Sequence, residues 1–359
     1  MTNKRWFQIG VAILLTLLII FLFMKVQSIF SPLVIIGQTI FMPLLIGGVL
    51  FYLTRPLLKW LESLKFPRWA SILSIFLVIG LVGWGFYALV GPPLTKQVNA
   101  LVKNTPVIVS EVQEFSQYVF ANQERFPEFL QKTITEVSDR VDTIAVGAGS
   151  LLIKFIQNVF QGVFLFVLVP FFLVYMLKDH EKFAPFIANF FRGDKKTWMR
   201  KTLADIDDVL RSYIQGQLFV SFLVGVMLFI GYSAIKLEYA LLLGVFGMMM
   251  NVIPFLGPYI ALVPAIIIAL IQKPKLAIYV AIIMLVSQQI ESNLITPNVM
   301  GKSLDIHPLT VITIILAAGN IAGLWGIILG VPTYAVIKAI LKNIYAHRVE
   351  IKEAATESV

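Results

Sequence analysis

The chain has 359 residues, of which 58% are hydrophobic and only 14% charged, and its mean hydropathy is +0.85. A soluble domain carries about a quarter charged residues, so a chain this apolar needs lipid as its solvent if it is not to aggregate. The absence of cysteine excludes disulfide frameworks, thiolate metal centres and cysteine nucleophiles, and three His without clustered carboxylates speak against a metalloenzyme; no cofactor or metal is expected. The net charge of +9 does not point to nucleic acid, because the basic residues bracket apolar runs instead of forming one stripe. The composition therefore predicts an all-α, polytopic integral membrane protein with six to eight spans.

In chain order, the first run, Trp6 to Met24, follows Lys4-Arg5 and is long enough for the hydrocarbon core, which takes about 20 residues. It lacks the small-residue cleavage site of a signal peptide and reads as a retained span. A second run covers Leu33 to Leu53 and ends at Arg55. The loop after it carries Lys59, Lys65 and Arg68 against a single Glu62, the signature of a cytoplasmic loop. The third run, Trp69 to Val90, is expected to stop at Gly91-Pro92-Pro93, closing an N-terminal membrane block at residues 1–91.

Residues 92–150 read as a soluble helical insertion. Ile108, Val112, Phe115 and Val119, then Leu130, Ile134, Val137, Val141 and Ile144, recur at helical spacing, with a turn over 121–127. Five basic residues against seven acidic ones suit the extracytoplasmic side. A fourth span is expected over 151–177, with Lys154 snorkelling to the interface. Residues 178–212 form a cytoplasmic helical segment; Lys178 to Gln217 holds eight Lys/Arg and six Asp/Glu. The Asp205, Asp207, Asp208 cluster lacks the glycine and terminal Glu of a calcium loop and reads as a solvated helix face.

Residues 213–345 differ from ordinary spans, and 346–359 form a cytoplasmic tail. After a fifth span over Ile214 to Ile235, the apolar stretch 240–271 contains Asn251, Pro254, Gly257, Pro258 and Pro264. Its 32 residues are too many for one straight crossing and too few for two. Two half-helices meeting at PFLGP, as a re-entrant hairpin or a broken span, are expected. A further span, Ala277 to Ile290, leads by a polar connection to the stretch 309–340, which is broken at Gly319-Asn320-Ile321-Ala322-Gly323. Span followed by Gly/Pro-broken segment, twice, resembles an internal repeat, and paired interrupted segments point to a transporter's binding site. Two unrelated proline-kinked helices are the alternative. Eight full spans, or six plus two hairpins, both put the termini inside.

Within these segments the polar residues are the candidate transport path. An ionisable group near a bilayer centre costs about 2.5–3.5 kcal/mol on insertion scales, so such a group normally faces a cavity or the protein interior. Glu291 closes an apolar helix with Gln288, Gln289 and Asn293 around it, and is the candidate for ion coupling. Tyr213, Gln217 and Ser221 line one helical face and Gln215 the opposite one. Asn251, Pro254, Gly257, Pro258, Gly319 and Asn320 supply amides and freed backbone dipoles. Met300-Gly301-Lys302-Ser303 ends like a phosphate-binding loop, but Thr296 stands where that pattern requires Gly, and no strand precedes it.

The ordered motifs RSYIQGQL, NVIPFLGPYIALVPA, QQIESNLITPNVMGKSLDIHPLTVI and GLWGIILGVPTYAVIK resemble the AI-2E family of autoinducer-2 exporter-like bacterial permeases, over essentially the whole chain. The resemblance implies a multi-pass permease of the bacterial cytoplasmic membrane, not an enzyme, assembled as a homo-oligomer such as a pentamer, with re-entrant hairpins and an elevator-like motion. The matching motif positions are Gln215, Gly216, Gln217, Pro254, Gly257, Pro258, Glu291, Asn293, Pro297, Gly301 and Pro308. Members of the family are associated with export of autoinducer-2 and others with sodium/proton antiport, so the solute does not transfer by resemblance. Export of a small polar, autoinducer-2-like solute is the leading expectation. Monovalent cation (Na⁺)/proton antiport at Glu291 is the alternative, and a non-transporting membrane scaffold is a third.

Overall fold

The computed structural model describes residues 4–26, 30–121, 165–300 and 306–357. The second half of the expected insertion, Lys154, the start of the expected fourth span, and Gly301 to Asp305 lie outside them. The described residues are almost entirely helical and contain no strand. They divide into one unit of Met1–Phe51 and Val163–Met176, and a second of Tyr52–Gly162 and Leu177–Val359.

The first unit holds α1 (Arg5–Val26), the first part of α2 (Ser31–Ser63) and the first part of α4 (Leu165–Ala188). The side chains of α1 are exposed nearly throughout although almost all are apolar, as expected of a helix whose surroundings are acyl chains. Where α2 meets α4, Gly47 allows close approach, because a Cβ there would lie 3.1 Å from the Phe172 Cβ.

In the second unit, α3 (Arg68–Ala121) runs straight through the expected stop. Pro92 and Pro93 remove two backbone donors, yet the helix continues because its next turns are anchored by packing. Leu101 is buried in the central core, with Leu94, Val98 and Ile108 packed against it. The Gln97 Oε1 accepts from the Leu242 N–H at 2.9 Å, and Asn104 donates to the Tyr239 hydroxyl at 3.0 Å. The start of the insertion is thus a continuation of the third span, docked on the membrane core. Similarly, α5 (Asp194–Ala234) joins the expected cytoplasmic segment and the fifth span in one 41-residue helix.

Around α5 the remaining helices are arranged by sequence patterning. Gly216, Val220, Val224, Leu228 and Tyr232 form its buried stripe, whereas Phe219, Phe222, Phe229 and Ile230 stay exposed. Antiparallel to it runs α6 (Ala240–Met250): Gly244 faces Phe229 and Gly225 faces Met248. The chain breaks over residues 251–255 and returns as α7 (Leu256–Gln272), with Gly257 against the Met250 carbonyl. Thus 240–271 is two half-helices folded into a hairpin. Next, α8 (Pro274–Ile290) descends along α5, passes through a π turn (Glu291–Ile295) and ends as α9 (Thr296–Met300), where Met300 packs on Gly216. The helical path therefore covers the start of the expected polar connection.

The last helix, α10 (Pro308–Glu357), is one of six helical stretches among the described residues that are long and apolar enough to cross a membrane, by length and composition. It is not one rod. Ala322 and Gly323 leave helical geometry, with Gly323 at φ 57°, ψ −137°. Beyond them Gly326 lies against the Ala318 carbonyl and Gly330 against Ile314. Residues eight and sixteen apart touch only if the helix folds back, since a straight helix would separate them by about 12 and 24 Å. The backbone at Gly323 lies in a region essentially closed to side chains, which explains the turn at GNIAG.

The two hairpins enter from opposite ends of α5. In the first, α6 starts beside the Ala234 end, and its break reaches Gln217. In the second, Asn343 donates to Asp205 at 2.8 Å and accepts from Trp198 at 3.1 Å through its carbonyl, near the Asp194 end. Further along, Val311, Ile315 and Val331 pack on Tyr213. The first break therefore lies beside the middle of α5, where the limbs of the second hairpin also pack.

Candidate functional site

The polar groups converge where the first break meets α5 and the π turn. Asn251 is 2% exposed, so each of its polar atoms must find a protein partner. Gln217, also buried, donates from Nε2 to the Asn251 carbonyl at 2.7 Å, taking up a carbonyl that the end of α6 leaves open. The Asn251 side chain donates from Nδ2 to the Glu291 Oε1 at 3.3 Å, and Gln288 donates from Nε2 to Oε2 at 2.8 Å. Both carboxylate oxygens thus accept from amides. Among the described residues no ion pair reaches Glu291.

The π turn begins at Glu291 itself. Its carbonyl accepts from the Thr296 N–H five residues on, one residue more than in an α-helix. Widened turns of this kind recur at functional sites because they re-aim side chains without ending the helix. Here the turn leaves Glu291 half-buried and directed at Asn251, while Ser292, Asn293 and Leu294 face outward.

Other candidates are divided. Gln289 and Asn293 are exposed and bond each other at 2.8 Å, away from the carboxylate, so they do not join this cluster. Gln215 points the other way, donating to the Tyr52 carbonyl at 2.6 Å. Tyr213 is buried against the second hairpin, and its hydroxyl has no hydrogen-bond partner among the described residues; Ser221, two turns along the same face, is in the same situation. Pro254 lies in the break, with Gly257 and Pro258 opening α7. Gly319 packs on Ile327, whereas Asn320 is exposed and bonds back to the Leu316 carbonyl at 3.2 Å. The second turn therefore contributes no group to the Glu291 cluster. Ser221, placed on the face of Tyr213 and Gln217 by its i, i+4, i+8 spacing, is buried on that face.

The buried Gln217–Asn251 bond allows a direct check. Gln217→Ala leaves the Asn251 carbonyl without its donor, and a buried unsatisfied group costs about 1–3 kcal/mol. A lower midpoint of thermal unfolding in detergent is the expected result.

Comparison with known proteins places this geometry in context. A family model described as "AI-2E family transporter" matches residues 12–346. YueF of Bacillus subtilis, whose name describes a transport protein, is 35% identical over 348 residues, covering 92% of this chain and 91% of the relative. YrrI of the same organism, similarly named, is 33% identical over 341 residues, covering 94% and 96%. PerM of Escherichia coli K12, named as a permease, is 22% identical over 320 residues, covering 83% and 86%.

Proposed function

The chain belongs to the AI-2E family of membrane transporters, and from that membership we propose that it carries a small polar solute outward across the bacterial cell membrane through the Gln217–Asn251–Glu291–Gln288 cluster. The single observation that supports this reading is a carboxylate that, among the described residues, is held by amides and no cation, at a helix break inside an otherwise apolar bundle. A polar cluster in such a place is costly and is normally retained for a ligand or ion. Amide and carboxylate groups suit a neutral, hydroxyl-bearing solute, of which an autoinducer-2-like sugar derivative is the type. The two hairpins entering from opposite ends of α5 have the inverted arrangement of transporters whose site is reached alternately from either side.

A second reading has its own support. Glu291 has no cationic partner among the described residues, so it can bind a proton or Na⁺ without breaking an ion pair. Monovalent cation/proton antiport at that residue is the alternative to solute export. Both readings take the basic ends of α2 and α5, and hence both termini, as cytoplasmic.

Purified protein in proteoliposomes tests the proposal. Efflux of a labelled autoinducer-2-like solute that saturates and needs no cation gradient is expected. Na⁺ flux driven by a pH gradient, with no solute movement, would transfer the assignment to antiport. No flux of either kind would overturn both and leave the scaffold.

A further inference from the structure

A cavity of about 750 Å³ lies apart from the Glu291 cluster, between the end of α2, the middle of α5 and α9. Arg55, Lys59 and Arg211 line one side of it, Leu218, Phe219 and Phe222 another. We propose that this cavity binds the phosphate of an anionic phospholipid of the cytoplasmic leaflet, with the start of the lipid's acyl chain along the phenylalanine wall.

The cations are held ready for such a group. Arg55 is fixed by Asp207 at 2.6 Å and Arg211 by Asp208 at 2.9 Å, and neither carboxylate lines the cavity. Lys59 is exposed and adds a third cation to the wall. Guanidinium forks and an ammonium together match a phosphate diester, and Ser212 offers a hydroxyl beside them. Basic pockets between spanning helices at the cytoplasmic face are a recurrent headgroup site.

The apolar side separates a lipid from a soluble anion. Phe219 and Phe222 lie eight and eleven residues beyond Arg211 on α5, about 12 and 16 Å along its axis. Both are more than half exposed. A free phosphate uses only the basic side, whereas a phospholipid matches both sides at once. The floor of the cavity is Gly216 against Met300, and its α2 wall is pinned to α5 by the Gln215 bond to the Tyr52 carbonyl. An occupant would thus brace α2 against α5. The inference rests on the cytoplasmic placement of this end, not on which solute is carried.

The test uses the full chain, delipidated in detergent and then offered phosphatidylglycerol or phosphatidylcholine with the same acyl chains, with retained lipid counted by native mass spectrometry. Phosphatidylglycerol is expected to be retained about tenfold more than phosphatidylcholine. Lys59→Gln combined with Arg211→Gln is expected to remove most of that preference, with helical content and elution volume unchanged. Equal retention of the two lipids by the unaltered protein would overturn the proposal, as would an unchanged preference in the folded double variant. Inorganic phosphate displacing phosphatidylglycerol at equal concentration would overturn the lipid assignment in favour of a soluble anion. Solute flux in the same preparations is governed by Glu291, so failure here and failure of the transport reading are separable.

Discussion

Glu291→Gln is expected to lower flux through the reconstituted protein about tenfold or more, equivalent to about 1.4 kcal/mol in the barrier. Both oxygens of Glu291 accept amide N–H groups, one from Asn251 and one from Gln288. A glutamine keeps one acceptor and turns an NH₂ towards one of those donors, so a hydrogen bond becomes a donor–donor contact. It also removes the one carboxylate able to take up a proton or cation in this cluster. The two functional readings predict different residual behaviour. Under solute export the loss falls on solute efflux and persists with no gradient applied. Under antiport it falls on pH-gradient-driven Na⁺ flux. Transport within twofold of the unaltered protein, at equal protein incorporation, would remove Glu291 from the path in both readings.

The second large effect is on folding. Gly257→Ala places a methyl group onto the Met250 carbonyl oxygen, and Gly326→Ala places one onto that of Ala318. Backbone cannot give way as a flexible side chain can, so the two limbs of the hairpin must separate. Overpacking of this kind costs about 1–3 kcal/mol, and more where backbone is the obstacle. The expected result is a marked fall in thermal stability for either variant, larger than for Gly85→Ala, where the added methyl meets open space. The folded-back form of α10 has an independent check, because the chain has no cysteine of its own. Gly319→Cys with Ile327→Cys is expected to crosslink readily. In a straight helix their Cα atoms would lie about 12 Å apart, beyond the roughly 7 Å reach of a disulfide.

These expectations explain why some of the site was readable in advance. The break at Asn251–Phe255 and the turn at Ala322–Gly323 were visible because proline and glycine act locally: one removes a donor, the other admits a backbone that side chains forbid. Glu291 stood out because a carboxylate in an apolar run is costly wherever the helix lies. Its neighbours were less legible. Gln289 and Asn293 stand two residues either side of Glu291, about 200° round a helix from it, so as an i, i+4 pair they bond each other on the opposite, exposed face. Asn320 likewise carries the right chemistry on a turn whose outer side faces away from the cluster.

Hydropathy, charge and the placing of proline and glycine by themselves determined the solvent, the helical class, the apolar segments and the two interruptions, since each is decided within about twenty neighbouring residues. Packing decided the rest. Pro92 and Pro93 fail to end α3 because Leu101 and its neighbours are held in the core beyond them. Asn251 and Glu291, forty residues apart, become partners only because α6 and α8 both lie along α5. The opposed entry of the two hairpins also depends on which side chains of α5 each helix meets, and contacts between distant residues leave no periodic trace in the chain that makes them.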